Sequence, residues 1–148
     1  MTLATFAAVF AALYAAHSFG DHWVQTHAQA CIKGTPGRTG RLACARHVAT
    51  LTATKAAFLL ALELATGARL HPAAVLAGLA VDAASHYWAD RRTTLAALAE
   101  RIGKGDFYRL GAPRPGRDDA PHLGTGAYAL DQSWHIGWLF ITALIIAA

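Results

Sequence analysis

The sequence predicts an all-α fold, a four-helix transmembrane bundle with a short amphipathic helix in its long third connection. Three observations carry that expectation. Hydrophobic residues make up 55% of the 148-residue chain and charged residues only 15%, against roughly 25% charged in a soluble domain. Four apolar stretches have the ~20-residue length that a bilayer crossing needs. The basic residues gather between those stretches and hardly ever within them. A buried soluble α-bundle is the competing class, because alanine supplies much of the apolar count and the mean hydropathy is a modest +0.31.

A single integral membrane domain, residues 1–148, is expected. Its spans fall at about residues 2–22, 46–66, 70–90 and 127–148. The first lacks the basic leader of a signal peptide and is expected to remain as a span. The second is interrupted by Lys55 and Glu63. The third contains Asp82 and His86, and Pro72 near its start suits a first helical turn. The fourth carries Asp131 and His135 near its start. Between the first two spans, Gly34, Pro36, Gly37 and Gly40 read as a turn-rich basic loop over residues 28–46. Residues 67–71 read as a tight turn around Gly67. In the long polar connection, residues 91–126, Leu95, Leu98, Ala99 and Ile102 share one face of a helix running from Thr93 to Ile102. Such a helix lies on the membrane surface or caps the bundle. Pro113, Pro115, Gly116 and Pro121 exclude regular helix after it.

The net charge of +4 does not indicate a nucleic-acid partner, since no helix carries a basic stripe with interleaved aromatics. Lys33, Arg38, Arg41 and Arg46 fall in the first loop. Arg91, Arg92, Arg101, Lys104, Arg109, Arg114 and Arg117 fall in the third. Only Arg69 is in the second loop and only Lys55 within a span. The positive-inside rule then puts both long loops in the cytoplasm and both termini outside. Cys31 and Cys44 lack a CxxC spacing, so neither a zinc knuckle nor a redox motif is signalled, and thiols are expected on the cytosolic side.

That topology gathers polar residues at one end. The first helix ends there with His17, Asp21, His22 and Gln25. The second begins there with His47. The third ends there with Asp82, His86 and Asp90, and the fourth begins with Asp131, Gln132 and His135. His17/Asp21, Asp82/His86, His86/Asp90 and Asp131/His135 are each four residues apart, which puts both members on one helix face. An ionisable residue inside a membrane costs about 2.5–3.5 kcal/mol on insertion scales, so so many together call for pairing, water or a metal. Imidazole and carboxylate are ligands for zinc, and for iron or manganese in bundle cores. The expected ligands are His17, Asp21, His47, His86, Asp90, Asp131 and His135, with Asp21, Asp90 and Asp131 as acid–base candidates. Gln25, Asp82, Arg46, Arg91 and Gln132 are expected in support or at a substrate, and Arg92 beside a phosphate. Asp82 serves equally well as a partner for Lys55. A lone histidine is more often bland than functional, so His22, His27, His71 and His122, which lack such partners, read as surface or interfacial. Trp23, Trp88, Trp134, Trp138 and Tyr87 read as an aromatic belt.

On these residues the chain resembles a family of small multi-spanning bacterial membrane proteins, a domain of unknown function. The matching pattern is His-x3-Asp-x3-Gln (His17, Asp21, Gln25), an early His in the second helix (His47), His-x3-Asp and a basic residue (His86, Asp90, Arg91), and Asp-Gln-x2-His (Asp131, Gln132, His135). It covers nearly the whole chain. Where the family has an aromatic or apolar residue after the first Asp, this chain has His22, an additional candidate ligand. More distantly, the set looks like the bacterial membrane-bound metal-dependent hydrolases. The resemblance implies the bacterial inner membrane and a metal; the donor types make it a divalent transition metal, zinc before others, and their number allows one or two ions. The resemblance also implies a hydrolytic reaction; the headgroup depth of the cluster adds a lipid-like or phosphorylated substrate at the cytoplasmic surface. The bilayer is the expected partner, with oligomers allowed. The alternatives are a non-catalytic protein whose His/Asp cluster is a structural polar network, and a subunit of a transport assembly.

Overall fold

A computed structural model describes residues 2–114, 116 and 124–148. Pro115, Arg117, Pro121 and His122, on which loop and surface expectations fell, lie outside the described residues. Among the described residues the chain is all helix, with no strand. Four long helices form the body: α1 (Leu3–Phe19), α3 (Gly37–Thr66), α4 (Pro72–Asp90) and α7 (Gly126–Ala147). They pack in a ring in which α1 touches α3 and α7, and α4 touches the same two helices. Three short helices, α2 (His27–Ile32), α5 (Thr93–Arg101) and α6 (Gly105–Arg109), lie in the connections.

Local chemistry sets the ends. The Thr2 hydroxyl accepts from the Thr5 N–H to start α1, and the Thr125 hydroxyl accepts from the Tyr128 N–H to start α7. Pro72 occupies the first turn of α4 as expected. Gly67 ends α3 in the left-handed region at φ 71°. Glu63 Oε1 accepts from the Leu70 N–H at 2.8 Å, so this carboxylate binds the turn between α3 and α4 and not the bundle interior.

The expected loop over residues 28–46 is overturned. Thr26 and Gln29 form a reciprocal capping box that opens α2, and α3 begins at Gly37, well before residue 46. Gly40 misleads as a turn signal: it is helical, and a Cβ there would run into the Thr35 carbonyl. At 30 residues, α3 is about 45 Å long, which exceeds a ~30 Å hydrocarbon layer. Its first turns, with Arg38, Arg41 and Arg46 exposed, therefore extend past any apolar slab. The expected amphipathic helix is present as α5, with Leu95 and Ala99 buried.

Three helical segments are long and apolar enough to cross a membrane: Leu3–Val24, Gly37–Thr66 and Gly126–Ala147. The expected third crossing, α4, is not among them, because Asp82, Ser85, His86 and Asp90 occupy its inner face. Polarity is inverted relative to a water-soluble bundle. Leu3, Leu60, Leu64, Leu76 and Phe140 are exposed, whereas His17, His47, Lys55, Asp82, His86, Asp90 and His135 are buried. Large apolar side chains outside and ionisable groups inside suit a lipid surround.

At one end the interior is apolar, built from Val9, Leu13, Leu59, Leu79, Leu139, Ala143 and Ile146. Next comes a single ion pair, Lys55 Nζ to Asp82 Oδ2 at 2.6 Å, with Lys55 0% exposed. This pair settles the role of Asp82: it neutralises Lys55 between α3 and α4. Removing one partner of a buried pair strands the other charge, at about 3–5 kcal/mol. Lys55→Met is therefore expected to lower the Tm in detergent sharply, and Lys55→Met with Asp82→Leu to recover most of the loss. An equal loss in the double variant would show that the pair does not act as a unit.

Candidate metal centre

The first motif reaches the site through an irregular turn. After Phe19 the helix widens into a π-helical turn, Gly20–Val24, closed by the Gln25 N–H donating to the Gly20 carbonyl at 2.9 Å. Gly20 lets this turn lie on α3, since a Cβ would run into the Leu51 side chain. The turn carries Asp21 inward. It also leaves His22 exposed, with Nδ1 2.8 Å from the Ser18 carbonyl oxygen, so His22 is not an extra ligand.

The centre of the cluster is a knot of four atoms from three elements, the π-helical turn, α3 and α4. His47 Nε2 lies 3.1 Å from His86 Nε2, 3.2 Å from Asp21 Oδ1 and 3.3 Å from Asp90 Oδ2. His86 Nε2 lies 3.2 Å from Asp90 Oδ2 and 3.8 Å from Asp21 Oδ1. Ligands of a tetrahedral zinc with bonds of about 2.0–2.1 Å stand about 3.3 Å apart. Asp21, His47 and His86 form one group of donors able to hold a metal ion, and His86, Asp90 and His135 form another.

The remaining expected ligands surround this knot. His17 Nε2 is 3.6 Å from Asp21 Oδ2. His135 Nε2 is 3.4 Å from Asp131 Oδ1 and 3.8 Å from Asp90 Oδ1. The His86 and His135 rings stack with centroids 3.8 Å apart, and the His17 ring is 5.1 Å from that of His135. Asp131 lies at the mouth, its side chain 25% exposed, and Gln132 Nε2 donates to its Oδ2 at 3.3 Å.

The donor set fits a cation. Both ring nitrogens of His17, Asp21 Oδ1 and His135 Nε2 are buried without a hydrogen-bond partner among the described residues. Each such atom costs about 1–3 kcal/mol, and a shared divalent ion would satisfy several at once. One feature departs from the usual pattern: His47 Nδ1 and His86 Nδ1 also lack a partner, although a ligating imidazole ordinarily donates from its second nitrogen. The His86 ring stacks on that of His135, and the His47 ring packs tilted against that of His86.

Several supporting residues differ from expectation. Arg46 is exposed on α3. Arg91 does not face a phosphate: its guanidinium donates to the Lys33 carbonyl and, at 2.6 Å, to the Thr35 carbonyl. Arg92, at φ 57°, donates to the Ala30 carbonyl at 2.9 Å. Together they tie α2 and its following turn to the end of α4. Gln25 is extended past the π-turn, and its Nε2 is buried without a hydrogen-bond partner. His27 and His71 are exposed, as expected.

Two residues were not foreseen as part of the site. Lys33, at the end of α2, places its Nζ 2.9 Å from Asp90 Oδ2 with both side chains largely buried. In the sequence it counted only as a loop charge. Tyr108 of α6 lies near Arg92 and Asp131. Burial pushes its phenol above the usual range, with Arg92 opposing and Asp131 adding to the effect, so it remains protonated at neutral pH. Tyr108 stands at no helical spacing from a motif, and Lys33, two four-residue steps after Gln25, is cut off from that register by the extended Gln25 and Thr26, so only the folded connections bring them in.

Compared with protein-family models, curated proteins and solved structures, the chain matches none. The site therefore rests on its own geometry. If Arg91 and Arg92 tether the Lys33–Pro36 turn, Arg91→Ala with Arg92→Ala is expected to speed tryptic cleavage after Lys33 several-fold. An unchanged rate would mean that the turn is held by other contacts.

Proposed function

We propose that the chain is a multi-pass protein of the bacterial inner membrane, both termini outside, in which α4 also crosses and brings the crossings to four. On this reading it is a metal-dependent hydrolase acting at the cytoplasmic membrane surface on a lipid-like or phosphorylated substrate. One observation carries the proposal: four long helices each deliver an imidazole around Asp21 and Asp90, with His47, His86 and His135 in donor groups able to hold a metal ion and His17 Nε2 3.6 Å from Asp21 Oδ2. Zinc is the ion that nitrogen and oxygen donors in fourfold arrangement favour.

His47, His86, Asp21 and Asp90 would hold the ion. When bound, it lowers the pKa of water and polarises a phosphoryl or acyl oxygen. Asp131, partly exposed and oriented by Gln132, is placed to exchange protons with a substrate as general base. An apolar groove of about 340 Å³ supports the lipid-like substrate. Leu95, Leu98 and Ile102 of α5 and Leu130, Trp134 and Trp138 of α7 line it, beside Asp131 and His135 in the chain. Trp134 Nε1 donates to Ser85 Oγ at 2.9 Å, which fixes one wall.

The non-catalytic reading draws on Lys33, which already supplies Asp90 with a cation. It leaves the orphaned atoms of His17, Asp21 and His135 unexplained. Interhelical polar bonds in membranes average only about 0.6 kcal/mol, a poor return for so many buried groups. A transport subunit needs polar groups through the full depth, and beyond Lys55 and Asp82 the interior is mostly apolar.

Protein purified in detergent without chelators is expected to contain near-stoichiometric transition metal, and His86→Ala with His135→Ala to abolish it. Chelator is expected to lower the Tm of the wild type. Metal-free wild-type protein with a chelator-insensitive Tm would overturn the metal reading in favour of the polar network. For topology, an impermeant maleimide applied from outside is expected to spare Cys31, which is exposed on α2, and to label a cysteine placed at Ala148. The reverse pattern would invert the orientation.

A further inference from the structure

We propose that the cluster is a dinuclear metal centre, in which Asp21 and Asp90 bridge one ion held by His47 and His86 to a second held by His17 and His135. The assignment rests on the metal reading above and deepens it.

The two carboxylates are used the same way. Asp21 turns Oδ1 toward His47 and His86, at 3.2 and 3.8 Å, and Oδ2 toward His17, at 3.6 Å. Asp90 turns Oδ2 toward His47 and His86, at 3.3 and 3.2 Å, and Oδ1 toward His135, at 3.8 Å. Each carboxylate thus stands between one pair of histidines and the other. The pairs are also distinct in the fold: His47 and His86 come from the adjacent helices α3 and α4, and His17 and His135 from the adjacent helices α1 and α7. Helical bundles commonly hold paired metals with carboxylates and histidines from facing helices.

Two independent features support the second position. A single ion at the His47/His86 knot leaves His17 Nε2 and His135 Nε2 buried without a hydrogen-bond partner. A second ion would satisfy both, with the general base Asp131 beside it, its Oδ1 3.4 Å from His135 Nε2. The His86 and His135 rings, one from each pair, lie nearly parallel with centroids 3.8 Å apart. That contact brings the two pairs side by side, as ions about 3.5–4 Å apart in a two-metal site require.

Charge then points to the ligand. With neutral imidazoles, Asp21, Asp90, Asp131 and the Lys33 ammonium leave the cluster at two negative charges. Two divalent ions reverse this to two positive charges, which complement a phosphate dianion. A phosphate ester is therefore the favoured substrate class, with the groove beside α5 taking an apolar portion.

The test uses full-length protein in detergent, stripped with chelator and titrated with Mn²⁺. The wild type is expected to bind two ions per chain, and its electron paramagnetic resonance spectrum to show the multiline pattern of a coupled pair. His17→Ala with His135→Ala is expected to bind one ion and show the six-line pattern of isolated Mn²⁺. Inorganic phosphate is expected to perturb the wild-type spectrum. One ion per wild-type chain, or two ions without coupling, would overturn the dinuclear assignment and leave the metal reading intact. No binding would overturn both. The wild-type stoichiometry and spectrum decide the matter even if the double variant does not fold.

Discussion

The Asp90 carboxylate is the group around which the other elements are arranged. It ends α4 at 2% exposure, where an unpaired charge would be prohibitively costly. Lys33 from α2, His47 from α3, His86 from α4 itself and His135 from α7 all stand within 4 Å of its oxygens. The fold can bury this carboxylate only by bringing those elements together at one depth. The close contact of the Gly20 turn with α3, the early start of α3 and the arginine ties at the end of α4 all serve that convergence. A change at any of these places acts on the cluster without touching it.

The two buried polar groupings behave differently. Lys55 and Asp82 form a closed pair, one cation against one anion, and neither is among the buried polar atoms that lack a partner. Nothing further is needed there, and the pair reads as structural. The histidine cluster is open: acceptor atoms outnumber donors, and several have no protein partner. Partly satisfied polar networks are costly unless another species completes them. Closure in one grouping and openness in the other separates a packing device from a candidate binding site within the same bundle.

Much of this was legible in the sequence. Four-residue His/Asp spacings set the inward faces of α1, α4 and α7, and basic clusters marked which ends meet. Those two signals suffice to bring His17, His47, His86 and His135 together, because helical periodicity and connectivity leave little freedom. What was not legible depends on local backbone. Glycines at 37 and 40 read as a turn, but Gly40 is a packing residue inside α3, required by the nearby Thr35 carbonyl. The capping box of Thr26 and Gln29 made a helix where a loop was expected. That short helix carries Lys33 to Asp90 and draws Arg91 and Arg92 away from a phosphate role. Asp82 could be placed only once Lys55 was seen on the facing helix.

The apolar end of the bundle bears on where the site obtains its contents. Beyond Lys55 and Asp82, the packed side chains of Leu13, Leu59, Leu79 and Leu139 close the interior. On the proposed orientation the cluster is a blind well, filled and emptied from the cytoplasm alone. First-row metals compete for such donor sets in an order that geometry only partly overrides, so the available pool decides occupancy. The identity of the bound ion would then report the metal economy of one compartment and be indifferent to the other.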